Sequence, residues 1–445
     1  MSLHPKDARN HLSRREFLLR AGMTGVALPS LGAILAACGG GAQTGVKTGG
    51  PSGSAGGNPY GTGGIAGAPY PLARPDAPVT WNTFDDNPPI DSDLPPEKNA
   101  TLKIFNWQYY LKPKIVKRFE AEFDCKVEVS TFLNFDPGFR KVTSGQVDFD
   151  LYFGVYADYL GKLVAGKFIR PLNHDYLPNF DANVWDVYKS PWYDQEARYT
   201  VPYGIYSTGI FWRNDLVKID IAGMDNPYDV FWSPDAPKNK THLGIGPRDP
   251  LAMAMMRKGI TDINTGDPAI INQAHDDLLE VVKAVNPKWD HTDYEELPHG
   301  AAWLHQSWSG NAMNTIVYFL TPKVGPELFS YWWPPMTDPS IPGAIGNDTL
   351  TILSAGKNPV LAHHFLNNLF DPKVALENFA TYTGYQPPIK SIVPEQLVAR
   401  GLVPENLATV VVREEDFSKG VKLGELSLES AALWQEADSK LTAGV

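Results

Sequence analysis

Cysteine is scarce in this chain of 445 residues, and several familiar signatures are absent. Only Cys38 and Cys125 occur, so a disulfide framework cannot hold the protein together and a large hydrophobic core must do so. No Gly-x-Ser-x-Gly nucleophile elbow is present, which argues against that class of hydrolase. After residue 38, no apolar run reaches the roughly 20 residues that a membrane-spanning helix needs.

An excess of positive charge is also lacking. The whole chain carries 39 Lys and Arg against 50 Asp and Glu, which gives a formal net charge of −11. Residues 1–37 hold five of the basic and two of the acidic residues, so the remainder has a net charge of −14. Nucleic-acid binding requires a basic face, so we expect no nucleic-acid partner. An acidic chain attracts cations over long distances without selecting one of them.

The first 37 residues have the features of an export signal. Arg14 and Arg15 precede an apolar stretch, which is the address of the twin-arginine export route. The stretch ends in Ala36-Ala37-Cys38, and small residues before a cysteine are typical of a lipoprotein cleavage site. We therefore expect residues 1–37 to be removed and Cys38 to carry lipid on the outer face of the cytoplasmic membrane. A plain cleaved signal and a retained anchor are the alternatives.

Residues 38–98 are expected to connect this signal to the folded body. Residues 39–71 are rich in Gly, Ser, Ala and Pro, a composition that buries too little apolar surface to offset chain entropy. We expect that part to be flexible. Residues 72–98 are rich in Pro and Asp and contain Trp81 and Phe84. They form either an extended strap on the body or more of the tether.

The rest of the chain alternates between strand and helix patterns, which predicts an α/β fold with a mostly parallel sheet. The predicted strands are 102–105, 126–131, 149–154, 200–202, 315–320 and 350–354, and the last two are expected in a second sheet system. The predicted helices are 112–123, 157–165, 359–370 and 428–441. This length suits two lobes with a ligand cleft at the carboxyl ends of their strands.

Aromatic and acidic residues follow several of the predicted strands. Trp107, Tyr109 and Tyr110 follow the first, and Tyr203 and Tyr206 follow the strand at 200–202. Flat aromatic faces suit methylene chains and attract ammonium groups by about 0.5–2 kcal/mol each. Carboxylates at the ends would add charge-assisted hydrogen bonds. Residues of this kind suit a polyamine, a run of methylenes between ammonium groups.

Five motifs spread over residues 99–445 give the chain a family resemblance. They are Phe105-Asn106-Trp107-x-x-Tyr110, Val201-Pro202-Tyr203 with Thr208-Gly209, Trp308-Ser309-Gly310-Asn311-Ala312, Asp348-Thr349-Leu350 and Thr383-Gly384-Tyr385-x-x-Pro388. In order and spacing they resemble the periplasmic spermidine/putrescine-binding proteins. The resemblance implies a two-lobe periplasmic-binding-protein (Venus flytrap) fold. Lobe 1 would comprise residues 99–207 and 348–392, and lobe 2 residues 208–347 and 393–445.

The resemblance also implies the ligand contacts, partners and mode of action. The implied ligand-binding residues are Trp107, Tyr110, Asp249, Trp308, Asp348 and Tyr385, with Tyr109, Tyr156 and Asn311 as further candidates. The implied partners are a polyamine and an ABC-type permease with its ATPase. We expect a monomer that closes its lobes around the ligand, with no cofactor and no enzymatic activity.

Departures from the family pattern keep the ligand open. Gly246 and Gly346 stand where the spermidine type has an acid and a Trp, and Asn311 stands where the putrescine type has an Asp. A different organic cation or amino compound is therefore one alternative. A secreted hydrolase that uses Asp249 and Asp348 as acid and base is another. Each candidate could also be structural: the aromatics as core, Asp348 in a turn, and Asp249 as a helix N-cap.

Acids and histidines gather in one further segment, residues 291–299. They are His291, Asp293, Glu295, Glu296 and His299. Metal binding would need ligands that converge in a defined shell. We expect a solvated loop there and no metal site.

Overall fold

A computed structural model describes residues 58–66, 68–133, 135–334 and 340–445. The predicted export signal, Cys38 and residues 39–57 of the predicted linker lie outside the described residues. Within the described ranges, none of the helices combines the length and the apolar character needed to cross a bilayer.

Ten strands form one mixed sheet in the described part of the chain, and a two-stranded ribbon lies beside it. The ribbon is β1 (Gly61–Gly63) and β2 (Val79–Trp81). The sheet contains β3 (Thr101–Trp107), β4 (Lys126–Phe132), β5 (Leu151–Tyr156), β6 (Ile169–Arg170), β7 (Val201–Arg213), β8 (Thr241–Leu243), β9 (Lys288–Trp289), β10 (Leu304–Trp308), β11 (Phe329–Trp332) and β12 (Ala344–Leu353). The main order is β4-β3-β5-β12-β7-β10-β8-β9, with β11 on β7 and β6 on β12.

Two sets of parallel strands meet at two long antiparallel strands. β3, β4 and β5 run parallel on one side, and β8, β9 and β10 run parallel on the other. β7 and β12 pair with each other and carry the sheet from one set to the other. The last residue of β5 is opposite Asp348 of β12, and the last residue of β10 is opposite Thr208 of β7. Both sets therefore direct their carboxyl ends at the middle of β7 and β12.

Helices cover the sheet. They are α1 (Pro113–Phe123), α2 (Phe135–Thr143), α3 (Leu160–Ala165), α4 (Pro178–Asn183), α5 (Arg248–Arg257), α6 (Pro268–Val285), α7 (Asp293–Glu296), α8 (Ser309–Asn314), α9 (Pro359–Leu369), α10 (Pro372–Asn378), α11 (Pro394–Ala399), α12 (Glu414–Lys419) and α13 (Leu428–Ala443). α1 shows why they form: Pro113 opens it, Ile115 and Phe119 bury one face, and Asp124 ends it in the left-handed conformation.

Two predicted strands differ from the structure. Residues 315–320 are not a strand, because Thr315–Phe319 continues α8 as a π-helical turn. The backbone N–H of Thr315 donates to the backbone carbonyl of Asn311, which continues the helix despite a β-branched and aromatic sequence. Residues 350–354 do form a strand, but it is the end of β12. That end pairs with β5, so it belongs to the single large sheet and not to a second one.

Residues 58–98 form a strap that is packed on the body, including part of the segment expected to be flexible. Leu72, Val79 and Trp81 are buried, and the Trp81 indole N–H donates to the carbonyl of Tyr193 at 2.8 Å. Near the other end, the Glu97 carboxylate accepts the N–H groups of Val360 and Leu361 at 3.0 and 2.8 Å. This carboxylate lies at the positive N-terminal end of α9, so the strap is attached in its middle and near its C-terminal end.

We expect Trp81→Ala to lower the free energy of unfolding by about 3–5 kcal/mol, because it removes a buried indole and its hydrogen bond. Chemical denaturation followed by circular dichroism would measure this loss. Leu94→Ala is the matched control, since Leu94 lies in the same strap with 41% of its surface exposed. If Trp81→Ala lowers the free energy of unfolding no more than the exposed control Leu94→Ala does, the strap does not contribute to the folded core.

Candidate ligand-binding cleft

The candidate residues lie where the carboxyl ends of the two parallel sets meet. Trp107 ends β3, Tyr156 ends β5 and Trp308 ends β10. Asp348 lies in β12 directly opposite Tyr156. The register of β12 is irregular against both of its long neighbours near Asp348. Against β7 it shifts between Asn347 and Thr349, and against β5 it shifts between Thr349 and Leu350. Such irregularities redirect a side chain out of the regular ladder.

Asp348 is a buried carboxylate in which one oxygen accepts a hydrogen bond and the other is uncommitted, that is, without a partner. Only 4% of the residue is exposed, and the Tyr110 hydroxyl donates to its Oδ2. Oδ1 is buried and has no hydrogen-bond partner among the described residues. Burial raises the pKa of Asp348 to about 7, against the opposing effect of the Tyr110 hydrogen bond. The uncommitted oxygen is free to accept from a cationic ligand.

Tyr110 is held by groups behind it. The Tyr203 hydroxyl and the Asn378 amide both donate to its carbonyl oxygen, at 2.5 and 3.1 Å. The Asn378 amide also donates to the Tyr203 hydroxyl at 2.7 Å. This network fixes the backbone that carries the Tyr110 ring, so its hydroxyl reaches Asp348 from one direction.

The Trp107 ring lies against the backbone of β5. Its indole N–H donates to the carbonyl of Gly154 at 3.1 Å, and Gly154 has a φ of +74°. A Cβ at Gly154 would approach the Trp107 ring to 2.1 Å, so glycine is required for this contact. Next to it, the Tyr156 ring stacks on Phe135 with a centroid distance of 4.4 Å. Trp107 and Tyr156 form one aromatic wall.

Tyr206 is a second aromatic wall, although it is not among the ligand contacts that the family resemblance implies. It lies in β7, and its ring centroid is 5.8 Å from that of Trp308. A Cβ at Gly346 would lie 3.0 Å from its hydroxyl oxygen. The Tyr206 ring therefore occupies the space above Gly346, at the place where the spermidine type is expected to carry a Trp. The charges of Asp348 and Asp249 both raise its pKa, after burial as the main cause.

The second candidate acid, Asp249, already has partners. It lies in the first turn of α5, where Pro247 and not Asp249 occupies the N-cap position. The Trp308 indole N–H donates to its Oδ2 at 3.0 Å, and His291 stacks on the Trp308 ring with centroids 4.1 Å apart. Burial raises the pKa of Asp249 and lowers the pKa of His291, while the attraction between the two groups opposes both shifts.

The Trp308-Ser309-Gly310-Asn311 motif supports another wall residue, Tyr385. A Cβ at Gly310 would lie 2.5 Å from the Tyr385 ring, so the ring rests directly on the backbone. The side-chain Oδ1 of Asn311 accepts a hydrogen bond from the Tyr385 hydroxyl at 3.0 Å. The Asn311 amide nitrogen donates to Asp293 at 2.8 Å and to the His291 carbonyl at 3.3 Å. Because its amide is committed to these groups, Asn311 positions Tyr385.

Tyr109 lines the same groove as Trp107 and Tyr110 but is more exposed than either of them. It has a φ of +60°, is 41% exposed, and its ring is 5.4 Å from that of Tyr318. Together with Tyr110, Val129 and Tyr382 it lines a surface groove.

The segment 291–299 also differs from the expected solvated loop. Asp293 is fully buried in α7 and accepts from the Ser307 hydroxyl as well as from Asn311. Only Glu295 and His299 of the five acids and histidines are classed as exposed. The burial of Asp293 depends on packing against β10, whose Ser307 donates to it. A sequence pattern cannot show that packing.

We expect Asp348→Asn to stabilise the ligand-free protein by about 1–3 kcal/mol at pH 8. The folded pKa of about 7 lies above the unfolded value of roughly 3.9, so the folded state binds more protons and loses stability as the pH rises from about 4 to 7. An asparagine has no charge to bury and keeps an acceptor for Tyr110. Thermal unfolding at pH 8 and pH 5 measures the effect.

The gain should be smaller at pH 5, where folded Asp348 is protonated but the unfolded group is still ionised, and it should vanish only below about pH 4. Asp276→Asn is the control, because the Asp276 side chain is 79% exposed. A lower midpoint for Asp348→Asn than for the wild type at pH 8 would contradict this account of the buried carboxylate.

Comparisons with known proteins agree with the fold and the family resemblance. Residues 114–403 match the family described as bacterial extracellular solute-binding protein. The spermidine/putrescine-binding periplasmic protein of Salmonella typhimurium is 27% identical over 356 residues, which cover 78% of this chain and 92% of that protein. The putrescine-binding periplasmic protein PotF of Escherichia coli is 25% identical over 300 residues, covering 62% and 75%.

Solved structures share the fold. The spermidine/putrescine ABC transporter substrate-binding protein PotD of Streptococcus pneumoniae superposes with a TM-score of 0.62 at 18% identity, covering 78% of this chain and 99% of that one. The Tp0655 lipoprotein of Treponema pallidum gives the same TM-score and identity, covering 77% and 99%. The expected two-lobe binding-protein fold is thereby confirmed. The family match covers more than half of the chain, so the protein belongs to the bacterial extracellular solute-binding proteins, a family of transport receptors and not of enzymes.

Proposed function

We propose that this protein is the receptor of an ABC-type importer and that it captures a polyamine-like cation between its two lobes. The observation that carries the proposal is Asp348, a buried carboxylate with an uncommitted oxygen among aromatic rings. A buried charge without a counter-charge is costly, and an ammonium group from a ligand would supply that counter-charge. The names of the relatives with 25–27% identity, spermidine/putrescine-binding and putrescine-binding, support this ligand class.

The aromatic residues support a ligand with methylene groups. Trp107, Tyr156, Tyr206, Trp308 and Tyr385 are the proposed walls. The pKa values of Tyr156 and Tyr206 both respond to the charges of Asp348 and Asp249, so the two acids lie within electrostatic reach of the same two rings. A chain that places an ammonium group at Asp348 and its methylenes between these rings would use both features.

Closure of two lobes is the proposed mechanism. β7 and β12 connect the two parallel strand sets, and bending of these strands would bring the sets together around the ligand. We propose lobe 1 as residues 99–207 and 348–392, and lobe 2 as residues 208–347 and 393–445. Contacts that the ligand makes with both lobes would favour the closed form, which would then deliver it to the permease.

A second ligand class is favoured by the surroundings of Asp249. Its carboxylate is bonded to the Trp308 indole and faces His291, so it has less negative charge to offer than Asp348. A protonated His291 would repel a second ammonium group and attract a carboxylate. An amino compound with one ammonium group and a polar or anionic far end is therefore the alternative.

Isothermal titration calorimetry with putrescine, cadaverine, spermidine, spermine and a linear ω-amino acid would test the proposal. We expect at least one of the amines to bind. Asp348→Asn should weaken that binding by about 30-fold or more, because an ammonium group would lose its buried partner. Asp276→Asn, an exposed acid, should bind as the wild type does. Absence of binding by every compound would refute the ligand class, and full binding by Asp348→Asn would refute the site.

His291→Gln separates the two ligand classes. Because burial lowers the pKa of His291, the comparison is made at about pH 5, below the ordinary imidazole pKa; there the substitution should leave diamine binding unchanged or strengthen it, since it removes a potential positive charge. The same substitution should weaken binding of a compound whose far end is anionic.

We further propose that the protein is exported by the twin-arginine route and anchored by lipid on Cys38. The basis is the sequence Leu35-Ala36-Ala37-Cys38 after Arg14-Arg15. In a bacterial host grown with labelled fatty acid, the wild-type chain should carry label and sediment with membranes. Cys38→Ser should lose both properties, whereas Cys125→Ser, at the only other cysteine, should keep them. Labelled Cys38→Ser protein would contradict the anchor.

A further inference from the structure

Two histidines and an aspartate come together on three neighbouring strands. His242 in β8 and His305 in β10 are directly opposite each other in parallel register. β9 is the other neighbour of β8, and Asp290 follows its last residue with its N–H bonded to the Leu243 carbonyl at 3.0 Å. His242 and His305 are 2% and 0% exposed, and the Asp290 side chain is 14% exposed. None of the three is among the proposed ligand contacts.

Two of the distances within this cluster suit a small divalent ion, and the widest separation would have to shorten when the ion binds. His242 Nδ1 lies 3.1 Å from Asp290 Oδ2, and His305 Nε2 lies 3.1 Å from Asp290 Oδ1. One ligand atom from each residue can be chosen so that all three lie within 4.8 Å of one another. Four ligands at the zinc bond lengths of about 2.0–2.2 Å are separated by roughly 3.3 Å when they are arranged tetrahedrally.

Hydrogen bonding leaves lone pairs directed into the cluster. His305 Nδ1 is 2.5 Å from the carbonyl of Gln306, which can only accept, so Nδ1 carries a proton. In the neutral imidazole, Nε2 is then a lone pair that faces Asp290 Oδ1 at 3.1 Å, and either a proton on Nε2 or a cation between the two atoms would resolve this conflict. His242 Nδ1 and Asp290 Oδ2 are both buried and neither has a hydrogen bond of acceptable geometry with a described residue.

We propose that His242, Asp290 and His305 bind a divalent transition-metal ion of the zinc type, with solvent as the fourth ligand. Two imidazole nitrogens and one carboxylate are a donor set that such ions prefer. The Nδ1–H bond to a backbone carbonyl is the outer contact that commonly orients a metal-binding histidine. The ion would have a structural role, because the family carries out no chemistry on its ligand.

Lys288 is the competing cation at this site. Its ammonium group lies 3.4 Å from Asp290 Oδ2 and 3.0 Å from a Glu296 oxygen, and its side chain is 57% exposed. Because Lys288 already contacts Glu296, it can remain paired there when a metal ion takes Asp290. Its exposure also marks the side from which an ion would enter.

Short segments of chain would connect a metal ion at this position to the ligand cleft. Asp290 directly precedes His291, which stacks on Trp308. His305 lies three residues before Trp308 in the same strand. Fixing Asp290 and His305 would therefore fix the relative placement of the imidazole and the indole that border Asp249.

The test is a Co²⁺ titration of the purified chain, expressed without a histidine tag and treated with a chelator. Cobalt substitutes for zinc and gives visible d–d bands whose intensity reports tetrahedral coordination. We expect one equivalent of Co²⁺ to bind with such bands and one equivalent of Zn²⁺ to displace it. Asp290→Asn, which changes no side-chain volume, and His242→Gln should each weaken binding by more than about tenfold.

His299→Gln is the matched control, since His299 is exposed and lies in the same part of the chain. It should bind Co²⁺ as the wild type does, and circular dichroism of each variant verifies folding. Absence of stoichiometric Co²⁺ and Zn²⁺ binding by the wild type would overturn the proposal and leave a protonated His305 as the cation. Unchanged binding by folded Asp290→Asn would also overturn it.

Discussion

The pairing of β7 with β12 is the constraint on which the rest of the cleft depends. These two strands are the only elements of the main sheet path that lie between the two parallel sets in the described part of the chain. Their register places Thr208 beside the end of β10 and Asp348 beside the end of β5. A slip of one residue would turn every side chain of either strand to the other face of the sheet. The position of the acid relative to both aromatic walls is therefore fixed by backbone hydrogen bonds.

Glycines let aromatic rings approach this frame closely. Gly154, Gly310 and Gly346 each face a ring that a Cβ would touch at 3.0 Å or less, and these rings are those of Trp107, Tyr385 and Tyr206. The rings thus rest on the main chain as well as on neighbouring aromatic rings, which leaves them little freedom to tilt. A rigid set of flat walls lowers the ordering cost of binding a flexible, chain-like ligand.

Much of the fold and part of the cleft could be predicted from sequence. The strand before Trp107 and the helix after it were evident from hydrophobic periodicity, and strand ends indicated where aromatic side chains would gather. Residues 315–320 are predicted as a strand because β-branched residues favour strands. In the structure α8 continues through Thr315 instead. Tyr206 could not be predicted as a cleft residue, because its ring occupies space that Gly346 leaves open, and Gly346 is 140 positions away in the chain.

The relation of Asp249 to His291 was also beyond the sequence. A first-turn acid predicts a helix cap, and only the folded chain brings the imidazole and the Trp308 indole against it. The cluster around Asp290 has the same origin. Its three members lie up to 63 positions apart, from His242 to His305, and no spacing rule for metal ligands connects residues that share only a sheet register.

The burial of Asp348 has a consequence for what accompanies ligand capture. With a pKa of about 7 this group is partly protonated at neutral pH, whereas an ammonium ligand requires the ionised carboxylate. If Asp348 has the proposed role, each capture event would release a fraction of a proton to the solvent. The heat measured on binding will include the ionisation enthalpy of the buffer that takes up this proton. The acidity of the surroundings would then help to determine how fully the protein is loaded.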